Sequence, residues 1–344
     1  MKKKNNEDEK LYNAKNDRIK YDYRIHKKRA LKRDHKTIID ELKHIRKFEI
    51  FIKFKNIEIF DQNIADQYIN WLFRENLSLS FINDNLRILK EFLKWLERQR
   101  GYKSKIDYNH IDYLNISNNQ RKMAKAKEYQ ESYTYQEIIK TIRQMPENSN
   151  IAKRNKAIIS LQALASLRPS ELRTVKMKNL RNINDKYFID VNPKNMEVKF
   201  AKQRKADFMP LPKDISQNLL NWYKFLKEIN FKNADPLFPI IPNNFNQNNL
   251  FEENIKFTGI KANSSICNIF KKAFTNAGFE YINHHNFRHT AIRFAETQSP
   301  AFLNAVRQSL GHSSIETSFN SYGTLSEYDQ RERINGLEYD FEKE

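Results

Sequence analysis

Cysteine is almost absent from this sequence. Cys267 stands alone among 344 residues, so no intramolecular disulfide can form and no set of cysteines can hold a metal. Its expected role is that of a small buried hydrophobe on a helix. Also missing is any apolar run long enough to span a bilayer, and the first residues carry no apolar core of the secretory-leader kind. Both absences lead us to expect a soluble, cytoplasmic protein. No segment repeats at a fixed period, which excludes a solenoid. Negative charge is in deficit, with 42 Asp and Glu against 61 Lys and Arg, a formal balance of +19. A compact chain with that excess repels itself unless a polyanion offsets it, and nucleic acid is the obvious candidate. The length exceeds what one core usually holds, so two domains are expected.

Along the chain, residues 1–36 mix basic, amide and acidic side chains with little apolar periodicity, ending in the run that contains Lys27, Lys28, Arg29, Lys32 and Arg33. They read as a basic N-terminal arm, either a solvated charge run or an arm that helps hold DNA; charge alone does not separate the two. From Thr37, which forms a capping-box pattern with Asp40, helical spacing sets in at Ile38, Leu42 and Ile45. A second helix is expected over 64–74. A third opens at Ser80, with Ile82, Leu86, Leu89, Leu93 and Leu96 on one stripe. Together these make a small helical domain over 37–115. The opposite face of its third helix carries Arg87, Lys90 and Lys94, which as a group could track a phosphate backbone. A polar, charged linker follows over 116–131.

The second domain is expected over 132–326. A capping box of Thr134 with Glu137 opens it, and further helices are expected over 151–165, near 170–175, over 216–229, over 265–277 stopped by Gly278, over 285–297, and over 301–310 stopped by Gly311. Residues 186–192 alternate apolar and polar, Pro193 to Asn195 makes a turn, and 196–201 continues extended, which predicts a β-hairpin within a helical domain. The fold class is therefore mainly α with a small antiparallel β-sheet.

Cleaving a phosphodiester with a side-chain nucleophile requires cations on the non-bridging oxygens, a proton donor for the leaving oxygen and an activated nucleophile. The second domain has residues of all three kinds. Arg168 directly precedes Pro169 and is biased out of the helix, so it projects from a turn at a helix start. His285 and Arg288 are three apart on an expected helix, with His289 one turn beyond His285. His312 follows the Gly311 helix stop, and Tyr322 lies ten residues further on. Each feature alone is common on ordinary surfaces.

In chain order, LRPSEL, a lysine in a hairpin, HNFRH, LGHSS and a tyrosine together resemble the tyrosine recombinase family, the Xer enzymes and phage integrases. The resemblance covers residues 37–330. It implies a helical core-binding domain and a catalytic domain that close as a C-shaped clamp on duplex DNA. It also implies strand cutting and rejoining through a 3′-phosphotyrosine, with no cofactor, metal or ATP. The family's phosphate-binding arginines fall on Arg168 and Arg288, the supporting acid on Glu171, and the two histidines on His285 and His312. The nucleophile falls on Tyr322. Setting MPL of AKQRKADFMPL on the family's VPL puts the catalytic lysine on Lys202, with Arg204 and Lys205 in the same loop. The flanking glycines of that family motif are absent here, Phe287 replaces a leucine and Ser318 a threonine. Tyr328 is six residues too late for the register that selects Tyr322.

A metal reading of His285 and His289 fails for want of an HExxH glutamate and a third ligand, which leaves His289 as a packing or supporting residue. Beyond Tyr322 the segment 327–344 is acidic around Ile334, Leu337 and Phe341, a composition that DNA repels; it is expected to contact a neighbouring protomer. The implied partners are double-stranded DNA with specific recombination sites and further copies of the chain, a dimer on one site and a tetramer in the complete assembly. Integration or excision of a mobile element and Xer-type resolution are the implied roles. The rivals are a relaxing type IB topoisomerase and a DNA-binding protein without activity.

Overall fold

A charged stretch with only two strongly apolar positions makes the first helix. α1 (Ala14–Arg29) starts at Asn13, whose side chain accepts from the backbone N–H groups of Lys15 and Asn16. Its buried positions are Asn16, Ile19, Tyr23 and Lys27, spaced as one helix face. The computed structural model that contains it describes residues 12–125, 131–245, 251–253 and 255–311. It separates into two compact units that divide after Ala126.

In the first unit, α1 is joined by α2 (His35–Phe51), α3 (Gln62–Arg74), α4 (Leu79–Glu97), the single turn α5 (Tyr108–Ile111) and α6 (Asn118–Lys125). The α4 stripe Ile82, Leu86, Leu89, Phe92, Leu93 and Leu96 is buried as its spacing predicts. Around it lie Phe48, Tyr68 and Leu72. Tyr23 meets Phe92 and Trp95 with ring centroids 5.1 and 5.0 Å apart.

Residues 14–29 thus belong to the core of this unit, which corrects the expectation of a basic arm. The reason is a buried cation: Lys27 is shielded from water and paired with Glu41, at 3.0 Å, and with Glu91. A lysine on the inner face hides the periodicity that an apolar residue would have shown. Asn16 does the same with an amide, donating to Lys55 O at 2.9 Å and accepting from Ile57 N–H at 3.1 Å. Two further boundaries shift. α2 starts two residues before Thr37, because Asp34 caps Lys36 N–H at 2.8 Å, while Asp40 pairs with Lys43 on the surface. Residues 118–125, expected as linker, form α6, which packs on α4.

The second unit opens with α7 (Tyr135–Gln144), and here the capping box is as expected: Thr134 N–H donates to Glu137 and Glu137 N–H to Thr134 Oγ1. α8 (Asn150–Ala165) is buried on nearly every side from Lys156 onward, as suits a central helix. α9 (Pro169–Thr174) leads into an antiparallel sheet of β1 (Leu180–Ile183), β2 (Lys186–Val191) and β3 (Arg204–Asp207), in that order. Asn184 and Asp185 join β1 to β2 with φ of 50° and 58°, the two left-handed positions of a type I′ turn.

The third strand corrects the hairpin expected over 186–201. Residues 199–201 form a short 3-10 turn in which Phe200 and Ala201 have φ of 60° and 48°, and pairing resumes only at Val191 with Arg204. The burial of β3 alternates, with Arg204 and Ala206 inward, and an arginine at a core position disguises the pattern. α10 (Lys213–Glu228) lays Leu219 and Trp222 against α8, and Trp222 Nε1 donates to Leu237 O at 2.8 Å. A short ladder of β4 (Asn243–Phe245) and β5 (Phe251–Glu253) precedes α11 (Asn263–Asn276), α12 (Phe287–Glu296) and α13 (Pro300–Leu310). Gly278 and Gly311 follow α11 and α13 with φ of 84° and 78°, the left-handed stops anticipated from sequence. The molecule is mainly helical with a small antiparallel sheet. Among the described residues no helix is long and apolar enough to cross a membrane.

Candidate active site

The end of α8 sets the first part of the site. Ser166 takes a left-handed conformation, φ 43°, and turns the chain into Leu167 and Arg168. Pro169 at the first helical position keeps Arg168 extended, with φ −70° and ψ 152°. Glu171, one turn into α9, is fully buried; its carboxylate accepts Arg168 N–H at 2.8 Å and Arg168 Nη1 at 3.1 Å. Burial alone would push this carboxyl up. The hydrogen bonds and charge of Arg204, reinforced by Arg168, overcome burial and hold it below the usual carboxylate range.

Arg204 supplies a two-pronged grip, Nη1 to Glu171 Oε1 at 2.8 Å and Nη2 to Oε2 at 2.6 Å. Its Nε donates to Ser309 O at 2.9 Å. Two neighbouring links run the same way: Asp207 N–H to Ser309 Oγ at 2.9 Å, and Lys202 Nζ to Gly311 O at 3.0 Å. The segment from Lys202 through β3 is therefore stitched to the last turn of α13. Gly311 is needed there twice over, since its φ is left-handed and an added Cβ would lie 2.7 Å from Arg204 Cδ.

The third part is the turn before α12. His285 lies in the 3-10 turn His284–Asn286 that precedes the helix, not in the helix itself, and Asn283 accepts its backbone N–H at 3.0 Å. Arg288 follows on α12, fully buried, its guanidinium donating to Ser166 O at 2.9 Å and Leu310 O at 2.6 Å. Gln162 Nε2 bridges Leu167 O and His284 O, at 3.0 and 3.2 Å, and so ties the Arg168 turn to the His285 turn.

Electrostatics couple these parts. The His285 imidazole is pushed down to about 4, first by burial and then by the positive charges of Arg288, Arg168 and Lys199, against the opposing pull of Glu171. It is therefore neutral at physiological pH, able to accept a proton or a hydrogen bond. His284 is also pushed down to about 4, by burial and then by His285, and stacks on Phe270 with centroids 4.8 Å apart.

Against known proteins, residues 132–328 match the model of the phage integrase family. The chain belongs to that family. Two relatives extend the likeness beyond the matched domain. The tyrosine recombinase XerC of Rickettsia prowazekii (strain Madrid E) is 26% identical over 298 residues, 82% of this chain and 84% of the relative. A probable integrase/recombinase, aq_aa09 of Aquifex aeolicus (strain VF5), is 25% identical over 325 residues, 88% of this chain and 94% of the relative. In fold, the chain is similar to XerH bound to a palindromic difH substrate in a post-cleavage complex, TM-score 0.61, 17% identical, covering 88% of this chain and 79% of that one. It is also similar to a lambda integrase dimer bound to a COC′ core site, TM-score 0.58, 14% identical, covering 94% and 97%. As a tyrosine recombinase of the phage integrase family, the protein is an enzyme that cleaves and rejoins DNA.

Of the residues this phage integrase relative was expected to use, Arg168, Glu171, Lys202, His285 and Arg288 lie on the three segments just described. His312 and Tyr322 lie outside the described residues, as does the 327–344 tail. His289 is buried on α12. Cys267 is half-buried on α11, its Sγ 3.8 Å from His284 Nδ1. In the first unit, Arg87 lies 3.5 Å from Asp84, Lys90 reaches Asp112 and Asn115, and Lys94 reaches Tyr108 Oη, so all three meet acceptors on their own unit.

Arg204, Gln162, Ser166 and Lys199 were not anticipated as members of the site. Arg204 alone had a sequence signal: a buried acid such as Glu171 requires a counter-charge, and Arg204 was one of two cations beside Lys202. The other, Lys205, is exposed with its ammonium 5.4 Å from the Phe188 ring.

Proposed function

We propose that this phage integrase family member recombines DNA at specific sites by way of a covalent 3′-phosphotyrosyl intermediate, with Tyr322 as nucleophile. Arg168 and Arg288 would bind the scissile phosphate through guanidinium forks suited to its oxygens. His285 would assist deprotonation of Tyr322, with His312 hydrogen-bonded to a non-bridging oxygen. Tyr322 oxygen bonds to phosphorus as the phosphorus to 5′-oxygen bond breaks, and Lys202 gives that oxygen its proton. Attack by a 5′-hydroxyl then reverses the step and releases the tyrosine. Glu171 supports the arginines and does not react.

The observation that carries this reading is the tying together of the Arg168 turn, the His285 turn and Arg288: Gln162 bridges Leu167 O and His284 O, and Arg288 donates to Ser166 O and Leu310 O. The solved relatives include a lambda integrase dimer on a core site and a tetramer bound to a Holliday junction. By that likeness we assign this chain double-stranded DNA as partner, a dimer on each site and a tetramer during exchange, with the first unit as a second DNA-binding element. Integration or excision of a mobile element, or Xer-type resolution, is the biological role in this reading.

The test is capture. A pool of random-sequence duplexes with a nick close to each possible cleavage point traps the enzyme, because the short leaving fragment diffuses away. A detergent-resistant adduct mapped to Tyr322, lost in Tyr322→Phe with DNA binding retained, is the expected result. Binding without adduct points to a DNA-binding protein without activity, and relaxation of supercoils without sequence selection in the captured pool points to a type IB topoisomerase.

A further inference from the structure

The segment that joins β2 to β3 carries a feature the proposed chemistry leaves unused. Among the described residues Phe200 is the most exposed large apolar side chain, 84% exposed. It also has a left-handed backbone, φ 60° and ψ 20°, followed by Ala201 at φ 48°. A single exposed aromatic is unremarkable, and so is a single strained turn residue. Their coincidence is different, because a bulky side chain in this conformation costs free energy that its own burial does not return. Strain of that kind persists at sites of function.

The neighbours of Phe200 say which function. Lys199 sits over its ring, the ammonium 4.9 Å from the centroid, and the same lysine acts on His285. On the other side, Lys202 reaches Gly311 O, the last described residue before His312. Along the chain Phe200 thus lies between two cations, one over its own ring and the other bonded to Gly311 O, on the segment that carries the lysine assigned as proton donor. Cations beside an exposed ring are the makings of a nucleic-acid contact: the charges follow phosphates while the ring meets bases.

We propose that Phe200 is a wedge that presses on the base step beside the scissile phosphate, unstacking it and fixing that phosphate in register with Lys202. The contact is apolar and insensitive to the donor and acceptor pattern of the bases, so it favours steps that unstack readily, pyrimidine–purine steps above all. The proposal rests on the recombinase reading above.

The full chain tests it on the duplex recovered by adduct capture. In the unsubstituted protein, a thymine next to the cleavage point becomes reactive to permanganate on binding. Phe200→Ala removes that reactivity and slows adduct formation roughly tenfold or more, Phe200→Leu falls between, and Phe200→Trp stays within about threefold of the parent. An unchanged thermal transition of Phe200→Ala shows that the unit is intact, as an exposed ring requires. If Phe200→Ala forms adduct at the parental rate with the parental permanganate pattern, the wedge is overturned and the recombinase reading stands. If the unsubstituted protein forms no adduct with any duplex, the parent reading falls and the wedge falls with it.

Discussion

Arg204 holds both carboxylate oxygens of Glu171, at 2.8 and 2.6 Å, in a pocket where the acid has no exposure to water. The pair joins β3 to the helix start that presents Arg168, so a residue that does not touch the phosphate fixes one that is assigned to it. Arg204→Met leaves Glu171 short of its main counter-charge and is expected to cost about 3–5 kcal/mol of stability. Arg204→Lys keeps the charge but loses the fork, and should recover only part of that. Denaturant melts of the two variants and of Glu171→Gln check this, and a double variant should cost less than the sum of its parts.

The two buried histidines predict how stability varies with pH. His284 and His285 are both pushed from 6.5 down to about 4, so the fold favours their neutral forms. Their contribution is complete above pH 6.5. It is lost as pH falls from 6.5 towards 4, where the unfolded chain takes up protons that the folded chain refuses. Glu171, held below its ordinary 4.5, adds a further loss under that pH. Urea midpoints should therefore fall between pH 7 and 4.5, and less steeply in His285→Asn. The acid limb of kcat/KM, which reports the free enzyme, should lie well below the ordinary 6.5 of an imidazole.

Gly311→Ala meets two obstacles at once. A φ of 78° costs an L residue about 1–2 kcal/mol. Its Cβ must also displace Arg204 Cδ, 2.7 Å away, and with it the Glu171 grip. Both destabilisation by calorimetry and slowed adduct formation are expected, since His312 is the next residue.

Lys202 is separable from its neighbours by the leaving group. Lys202→Ala should slow cleavage by roughly 10²–10⁴-fold, the range of a lost proton donor. A substrate with sulfur at the bridging 5′ position leaves without a proton, so it should restore the rate. Restoration by sulfur in Lys199→Ala but not in Lys202→Ala would move the assignment to Lys199.

Much of this was legible in the sequence where one residue type admits one explanation. The Arg168–Pro169 turn, the Thr134–Glu137 box and the glycine stops at 278 and 311 are local, and local stereochemistry decides them. What stayed hidden depends on distant partners. Arg204 reads as a surface cation until Glu171, 33 positions earlier, is seen beneath it. Gln162 reads as a polar lapse in an apolar helix until its amide is seen to span Leu167 and His284. The strand expected over 196–201 failed because Phe200, which suits β-structure by composition, and Ala201 after it both hold a left-handed backbone.

Helix α1 bears on where this protein can be cut. A version begun at Thr37, the boundary its composition suggests, would uncover the faces of Phe92 and Trp95 that Tyr23 covers, and would leave Glu41 and Glu91 facing each other without Lys27. It would also strip Asn16 from the turn at Lys55 to Ile57. Weakened DNA binding by such a trimmed chain would report an unravelled helical unit, and would carry no information about whether the removed lysines and arginines ever touched a phosphate.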